Sequence, residues 1–217
     1  MNDGGITMSK PYVITISRTF GSGGKTIGLD LAEELGIPCY GDQILKMASE
    51  ASGISEQLFA QADQKLRGSF LRRIASFPDI ERAAKPSDKD FTSDDNLFRI
   101  QVQIVRQLAE TQSCIILGKC ANVALYDYDN VLSVFVDADR KSCIKNVMDR
   151  MYCSEAEAEK LIKKTDKYRA DYYTYYSSGK TWKDPREFDL VLNTGRLGFD
   201  GAAQVIKDTL RIKGLID

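Results

Sequence analysis

The sequence predicts an α/β fold, a parallel sheet with helices on both faces, and three observations carry that reading. Five short apolar runs, at residues 12–16, 37–40, 114–117, 131–136 and 188–192, have the continuous hydrophobicity of strands buried on both sides. Segments of helical period separate them, the alternation that builds a parallel sheet through crossover helices. The third observation is a glycine-rich stretch, Ser17-Arg18-Thr19-Phe20-Gly21-Ser22-Gly23-Gly24-Lys25-Thr26, between the first run and the first helical segment. Right-handed crossovers put that stretch at the carboxyl end of the first strand, where open α/β sheets gather ligands.

Taken in order, the first strand is followed by a helix with Ile27, Leu31, Ala32 and Leu35 on one face and Gly36 as its stop. Strand, glycine turn and helix together point to phosphate binding. Glycine lets the backbone curl until successive N–H groups face an anion. The helix start adds its positive dipole end, and Lys25 adds a full charge. Gly21, Ser22, Gly23, Gly24, Lys25 and Thr26 are therefore expected to hold a nucleotide's phosphates, with the Thr26 hydroxyl placed to ligate Mg²⁺ or merely to cap the helix. The stretch departs from G-x-x-x-x-G-K-[ST] at its first position, where Thr19 replaces glycine. The plain alternative is an ordinary strand-to-helix turn.

Past the second strand, Asp42 is placed either to meet an acceptor or to cap the next helix. An insertion spans about residues 42–112. Its last part has helical spacing, with Leu97, Ile100, Ile104, Val105 and Leu108 facing the sheet and Thr92, Ser93 and Asp94 offering N-cap chemistry. Residues 76–90 carry two prolines and many charges without apolar periodicity, and read as a mobile loop. After the third strand, Gly118-Lys119 lies at the ligand-bearing edge, Lys119 being a contact for an acceptor phosphate or simply a surface lysine.

A second insertion, about residues 152–185, follows the fourth strand. Ser154 with Glu157 makes a capping box, so a helix starts there and runs into a tyrosine cluster until Ser177-Ser178-Gly179-Lys180 breaks it. Arg150, Lys163, Lys164, Lys167 and Arg169 make this region basic, and Asp166 and Arg169 share a helical face. Two readings are open: a solvated helix with a surface ion pair, or a lid that folds over a nucleotide and brings arginine to its phosphates. The tyrosines are likewise either a stacking platform or a buried stripe. Phe199, Ala202, Ala203, Ile206 and Leu210 close the chain with an amphipathic helix. One domain with two insertions accounts for all 217 residues.

Composition narrows the chemistry. With 30 basic and 31 acidic residues the formal charge is −1, so the chain has no global attraction for nucleic acid or membranes. No histidine is present, which excludes imidazole bases and any nucleophile pair that depends on one. The five cysteines are scattered without a C-x-x-C pair, as expected of free thiols, with Cys114 packed as a small hydrophobe. Residues 1–10 lack the apolar core of a signal peptide and no run is long enough to span a bilayer, so the expectation is a cytoplasmic protein whose partners are small nucleotides. Oligomeric state is not legible.

The chain resembles the cytidylate kinase-like family, relatives of the nucleoside monophosphate kinases with a phosphate-binding P-loop. The likeness runs through Val13-Ile14-Thr15-Ile16-Ser17-Arg18, Phe20-Gly21-Ser22-Gly23-Gly24, Ile115-Ile116-Leu117-Gly118-Lys119-Cys120-Ala121, Asp166-Lys167-Tyr168-Arg169 and Phe188-Asp189-Leu190-Val191-Leu192-Asn193-Thr194. That resemblance implies a three-layer P-loop NTPase fold with a five-stranded parallel sheet of order 2-3-1-4-5, an acceptor-binding lobe in the first insertion and a lid in the second. It implies Mg²⁺-ATP as donor and CMP or dCMP as acceptor, with Asp166 and Arg169 as the lid's aspartate and arginine pair and Arg169 near the transferred phosphate. The expected site is then Lys25, Asp166 and Arg169 as catalytic residues, Arg150 on the nucleotide, and Arg18, Asp42 and Lys119 on the acceptor. The chain also departs from cytidylate kinases. Aligned on Gly21-Ser22-Gly23, their loop lysine falls on Gly24, with Lys25 one residue late; their arginine after the third strand is Lys119, and a lid arginine falls on Ile162. Kinases for other small metabolites, and a nucleotide-binding regulatory module without transferase activity, are the alternatives.

Overall fold

The computed structural model of the chain describes residues 10–65 and 88–217. Five parallel strands form one sheet in the order β2-β3-β1-β4-β5, as the resemblance implies. They are β1 (Val13–Arg18), β2 (Cys39–Tyr40), β3 (Cys114–Leu117), β4 (Val131–Asp137) and β5 (Leu190–Asn193). The central strand is buried from Val13 to Ser17. Pairing Ile14 with Ile115 on one side and with Leu132 on the other leaves its side chains no exit to solvent.

Alternation along the strands divides the core into two layers. Val13, Cys114, Ile116, Val131 and Phe135 face one side, where helix α4 (Asp94–Thr111) and the tyrosines pack. Ile14, Ile16, Ile115, Leu117, Leu132, Val134 and Val136 face the other, covered by helices α1 (Gly24–Leu35) and α8 (Thr194–Ile212). Sheet between two helical layers is the three-layer α/β fold.

Local chemistry sets the boundaries. β1 runs two residues further than the apolar run at 12–16, because Ser17 and Arg18 continue the ladder opposite Phe135 and Val136. β2 is shorter than residues 37–40. The Ile37 N–H is taken by the Ala32 carbonyl in the cap of α1 around Gly36, and Pro38 has no N–H to give. β5 begins at Leu190, since Phe188 ends a 3-10 turn (Pro185–Glu187) and its ring packs on Phe135.

The first insertion contributes α2 (Gln43–Ser52), α3 (Glu56–Lys65) and α4, whose Leu97, Ile100, Ile104, Val105 and Leu108 are all buried and whose N-cap is Ser93. The loop expected at 76–90 lies outside the described residues apart from its last three. After β3 comes the single turn α5 (Ala121–Ala124). Beyond β4, α6 (Arg140–Met151) and α7 (Glu155–Tyr176) form an antiparallel pair. Both halves of the Ser154–Glu157 capping box are made, and α7 ends at Ser177 as expected. No helix among the described residues is long and apolar enough to cross a membrane.

Candidate functional site

The glycine stretch forms a turn held from below by every neighbouring element. Gly21 and Gly23 have φ of 91° and 83°, a left-handed geometry that an L side chain strains to adopt. The buried Ser22 hydroxyl donates to the Thr19 and Val136 carbonyls, and Thr194 donates to the Ser22 carbonyl at 2.7 Å. Asn146 of α6 donates to the Gly21 carbonyl at 2.8 Å. Thr19, standing where the sequence pattern has glycine, is tied by its hydroxyl to Asp137 at the end of β4, at 2.8 Å. With its carbonyls anchored, the turn presents N–H groups upward. Gly23 caps α1 without a side-chain bond, and among the described residues nothing accepts from the N–H groups of Gly24, Lys25 and Thr26. Orphan donors at a helix start, backed by the dipole, make an anion seat.

Both Lys25 and Thr26 are exposed on the first turn of α1. Thr26 lies inside the helix, so it is not the cap that one reading allowed. Its hydroxyl is an oxygen donor open to a hard cation. Among the described residues no cluster of three or more acidic or thiol side chains could cage a metal. A single exposed hydroxyl is compatible with Mg²⁺ that is carried by a nucleotide's phosphates and waters rather than caged by the protein.

α7 reaches the loop through two residues. The Phe20 N–H donates to Asp166 Oδ1 at 2.7 Å, and Arg169 Nη1 donates to the Arg18 carbonyl at 3.0 Å. The two side chains sit 3.9 Å apart and are each about one-fifth exposed, 20% and 22%, so they are not the solvated surface pair of the plainer reading. Desolvation raises the Asp166 pKa despite the Phe20 N–H and Arg169. Burial, reinforced by Arg18, lowers that of Arg169 to about 9. The Arg169 and Arg150 guanidinium carbons lie 5.6 and 5.2 Å from the centre of the Phe20 ring, which brings Arg150 from the last turn of α6 over the loop.

Beside the loop opens a cavity of about 510 Å³, lined among others by Arg18, Asp42, Lys119, Tyr168 and Arg169. All three residues expected on an acceptor thus share one wall with Arg169. Asp42 stands at the start of α2 but makes no capping bond; its carboxylate faces Lys119 at 3.6 Å. Arg18 is unusual. Its Nε is buried without a hydrogen-bond partner, and burial lowers its pKa against the pull of Asp42. Two desolvated guanidiniums and Lys119 line this cavity against Asp42 and Glu56, so its wall carries more positive than negative charge.

The tyrosines divide between the two readings. Tyr172, Tyr173 and Tyr176 are buried in the core, Tyr176 stacked on Phe98 at 3.7 Å, while Tyr168 and Tyr172 also line the cavity. Ile162, at the lid-arginine position, is buried with Cys143, Val147 and Ala158 between α6 and α7. It packs the hairpin and offers no charge. Asp137, Asn146, Thr194 and Trp182 escaped the sequence reading. Only Asp137, at a strand's carboxyl end, and Thr194, within the last stretch of the family likeness, carried a signal that could have found them.

The cytidylate kinase-like family model matches residues 13–196. Among solved structures, an uncharacterized protein from Eubacterium ventriosum ATCC 27560 is 26% identical with a TM-score of 0.67, over 92% of this chain and 98% of that one. A shikimate kinase from Bacteroides thetaiotaomicron is 13% identical with a TM-score of 0.49, over 92% and 98% of the two chains. Among curated proteins nothing matches.

Proposed function

The chain belongs to the cytidylate kinase-like family, and on that premise we propose that it transfers the γ-phosphoryl group of ATP to a small acceptor, with CMP or dCMP the first to be tried. The observation that carries this reading is the convergence of Arg18, Lys119 and Arg169 on one cavity beside the unaccepted N–H groups of the glycine turn. One anion seat next to a second, cationic one is what a donor and a phosphorylated acceptor need.

Phosphoryl transfer asks for positioning and charge neutralisation rather than covalent help. The N–H groups at the start of α1 and Lys25 hold the donor's phosphates. Arg150, stacked over Phe20, covers the nucleotide from the lid. Lys119 and Arg18 hold the acceptor's phosphate, with Asp42 keeping Lys119 in place. An oxygen of that phosphate attacks the γ-phosphorus in line, and the bond to the bridging oxygen breaks with its electron pair leaving on ADP. A phosphate nucleophile carries no proton that must be removed at neutral pH, so the absence of histidine is no obstacle. Arg169, anchored by one nitrogen to the Arg18 carbonyl, turns the rest of its guanidinium to the migrating group, and Asp166 fixes the loop beneath it. Thr26 would offer its hydroxyl to Mg²⁺ carried by ATP, which would supply further charge neutralisation.

A regulatory nucleotide-binding module is the second reading, favoured by Gly24 at the loop-lysine position and Ile162 at the lid-arginine position. Calorimetry with Mg-ATP, followed by ADP release across a panel of nucleoside monophosphates and nucleosides, separates the two. Acceptor-dependent ADP release is expected. ATP binding with no acceptor-dependent turnover would favour the module.

A further inference from the structure

We propose that Arg18, rather than Lys25, is the loop's phosphate-bridging cation: it fills the seat that a lysine at position 24 would occupy and is a catalytic residue touching the migrating phosphoryl. This rests on the phosphoryl-transfer reading and assigns that site's central charge.

The register of α1 sets the problem. Gly23 is the left-handed cap and Gly24 the first helical residue, so the position that follows the second positive-φ glycine, where the loop lysine of cytidylate kinases aligns, has no side chain. The reason is spatial. A Cβ added to Gly24 would stand 2.7 Å from Arg18 Cβ and 3.1 Å from Arg18 Cγ. The stem of Arg18 already runs through that space. Its far end is fixed by another glycine: a Cβ on Gly118 would lie 2.5 Å from Arg18 Nη1. Gly118, with φ of 74°, ends β3 at the mouth of the cavity. Two glycines distant in sequence thus form a channel for one arginine, running from the start of α1 to the cavity wall.

What the side chain meets there is as telling. Its Nε is sealed from solvent with no partner, and Asp42, the carboxylate that pulls on it, is engaged by Lys119. A buried guanidinium without an anion is costly unless something else supplies the charge. Lys25, by contrast, is exposed one residue further along the helix. An enclosed cation between the donor's seat and the acceptor's seat can contact both, and its planar fork can bond two phosphate oxygens at once. The guanidinium bonds the γ-phosphoryl oxygens as the bond to ADP breaks and that to the acceptor forms; it gives up no proton.

The test measures Mg-ATP affinity by calorimetry, steady-state turnover on the best acceptor and thermal midpoint for Arg18→Met, Arg18→Lys, Lys25→Met, Gly24→Lys and the exchange Arg18→Gly with Gly24→Lys. Arg18→Met should lose roughly 10²-fold or more in kcat, as when one preorganised charge-stabilising donor is removed, and Arg18→Lys should recover part of it. Lys25→Met should weaken ATP binding by no more than about fivefold, the scale of an exposed charge. Gly24→Lys alone should be destabilised by collision with Arg18, whereas the exchange, which vacates the channel, should fold and exceed Arg18→Met in kcat by about tenfold or more, reaching about a tenth of the wild-type value. Equal losses for Lys25→Met and Arg18→Met, or full turnover in Arg18→Met, would overturn the assignment while leaving phosphoryl transfer standing. Should the exchange fail to fold, Arg18→Lys against Arg18→Met decides alone: no recovery, with midpoints unchanged, also overturns it. A wild-type protein without transfer to any acceptor refutes the underlying reading, and the inference with it.

Discussion

At the scale of single residues, Asp166 is the most exacting case, because its carboxylate is buried for the sake of one backbone N–H. Its folded pKa lies above the ordinary 3.8, burial being the largest cause. The native state therefore holds that proton more tightly than the unfolded chain does. The stability this contributes is fully present below the unfolded value and is lost as pH rises through the folded one. Asp166→Asn keeps an oxygen for the Phe20 N–H and removes the titration. The unfolding free energy of the wild type minus that of the variant should decline as pH rises from about 3.8, measured by urea melts at several pH values. A difference that climbs with pH would contradict the burial assigned here.

Glycines give a second comparison at this scale. A Cβ on Gly21 would come 2.6 Å from the Cys143 carbonyl oxygen at a φ of 91°, so Gly21→Ala must displace backbone in the phosphate turn. Gly36, at φ 65°, has open space around it. Gly36→Ala should cost about 1 kcal/mol and leave nucleotide affinity alone. Gly21→Ala should cost more and reduce ATP binding at least tenfold, given that a single lost charge-assisted bond is worth about 1.5–3 kcal/mol. Equal affinities in calorimetry would show that the turn does not hold phosphate.

Among elements, α7 is the one whose role depends on where it is rooted. Its second half is core: Tyr172, Tyr173 and Tyr176 are buried, and Tyr176 stacks on Phe98 of α4. Its first half packs mainly on α6, through the small cluster of Ala158, Ile162, Cys143 and Val147, with Phe20 and Ala138 against it. We propose that this half is the lid, closing by movement of α6 and the start of α7 about the residues near Asp166 and Arg169. Hydrogen exchange should show the tyrosine half protected without ligand, and the first half slowing when ATP and acceptor are added together. Uniform protection of α7 in both states would count against closure.

The same element shows what the sequence could and could not convey. The Ser154–Glu157 box and the Ser177 break fixed both ends of α7 from local chemistry alone, and residues 114–117 matched β3 because an uninterrupted apolar run has one fate in a sheet buried on both faces. The tyrosines remained ambiguous, since five within residues 168–176 leave the buried face undetermined until α4 is packed against it. Arg18 was nameable as a loop residue. Its direction was not, because the channel depends on Gly118, a hundred residues away, and on the absence of a side chain at Gly24.

For the whole molecule, the fold brings the ends of β1 and β3, the first turn of α1 and the middle of α7 to one edge of the sheet, although the chain carries almost no net charge. Positive charge is local and partly desolvated, so its effect should be felt as the phosphoryl moves rather than as general attraction for anions. Arg169 puts this most directly to the test. A rapid-quench single turnover with Mg-ATP and the best acceptor, alongside calorimetry, compares the wild type with Arg169→Ala. The account predicts near-normal ATP affinity and a transfer step slower by roughly 10²-fold or more, the signature of an interaction made mainly in the transition state. An unchanged transfer rate, with at most about 1 kcal/mol of stability lost, would contradict it and leave Arg169 as half of a structural ion pair with Asp166.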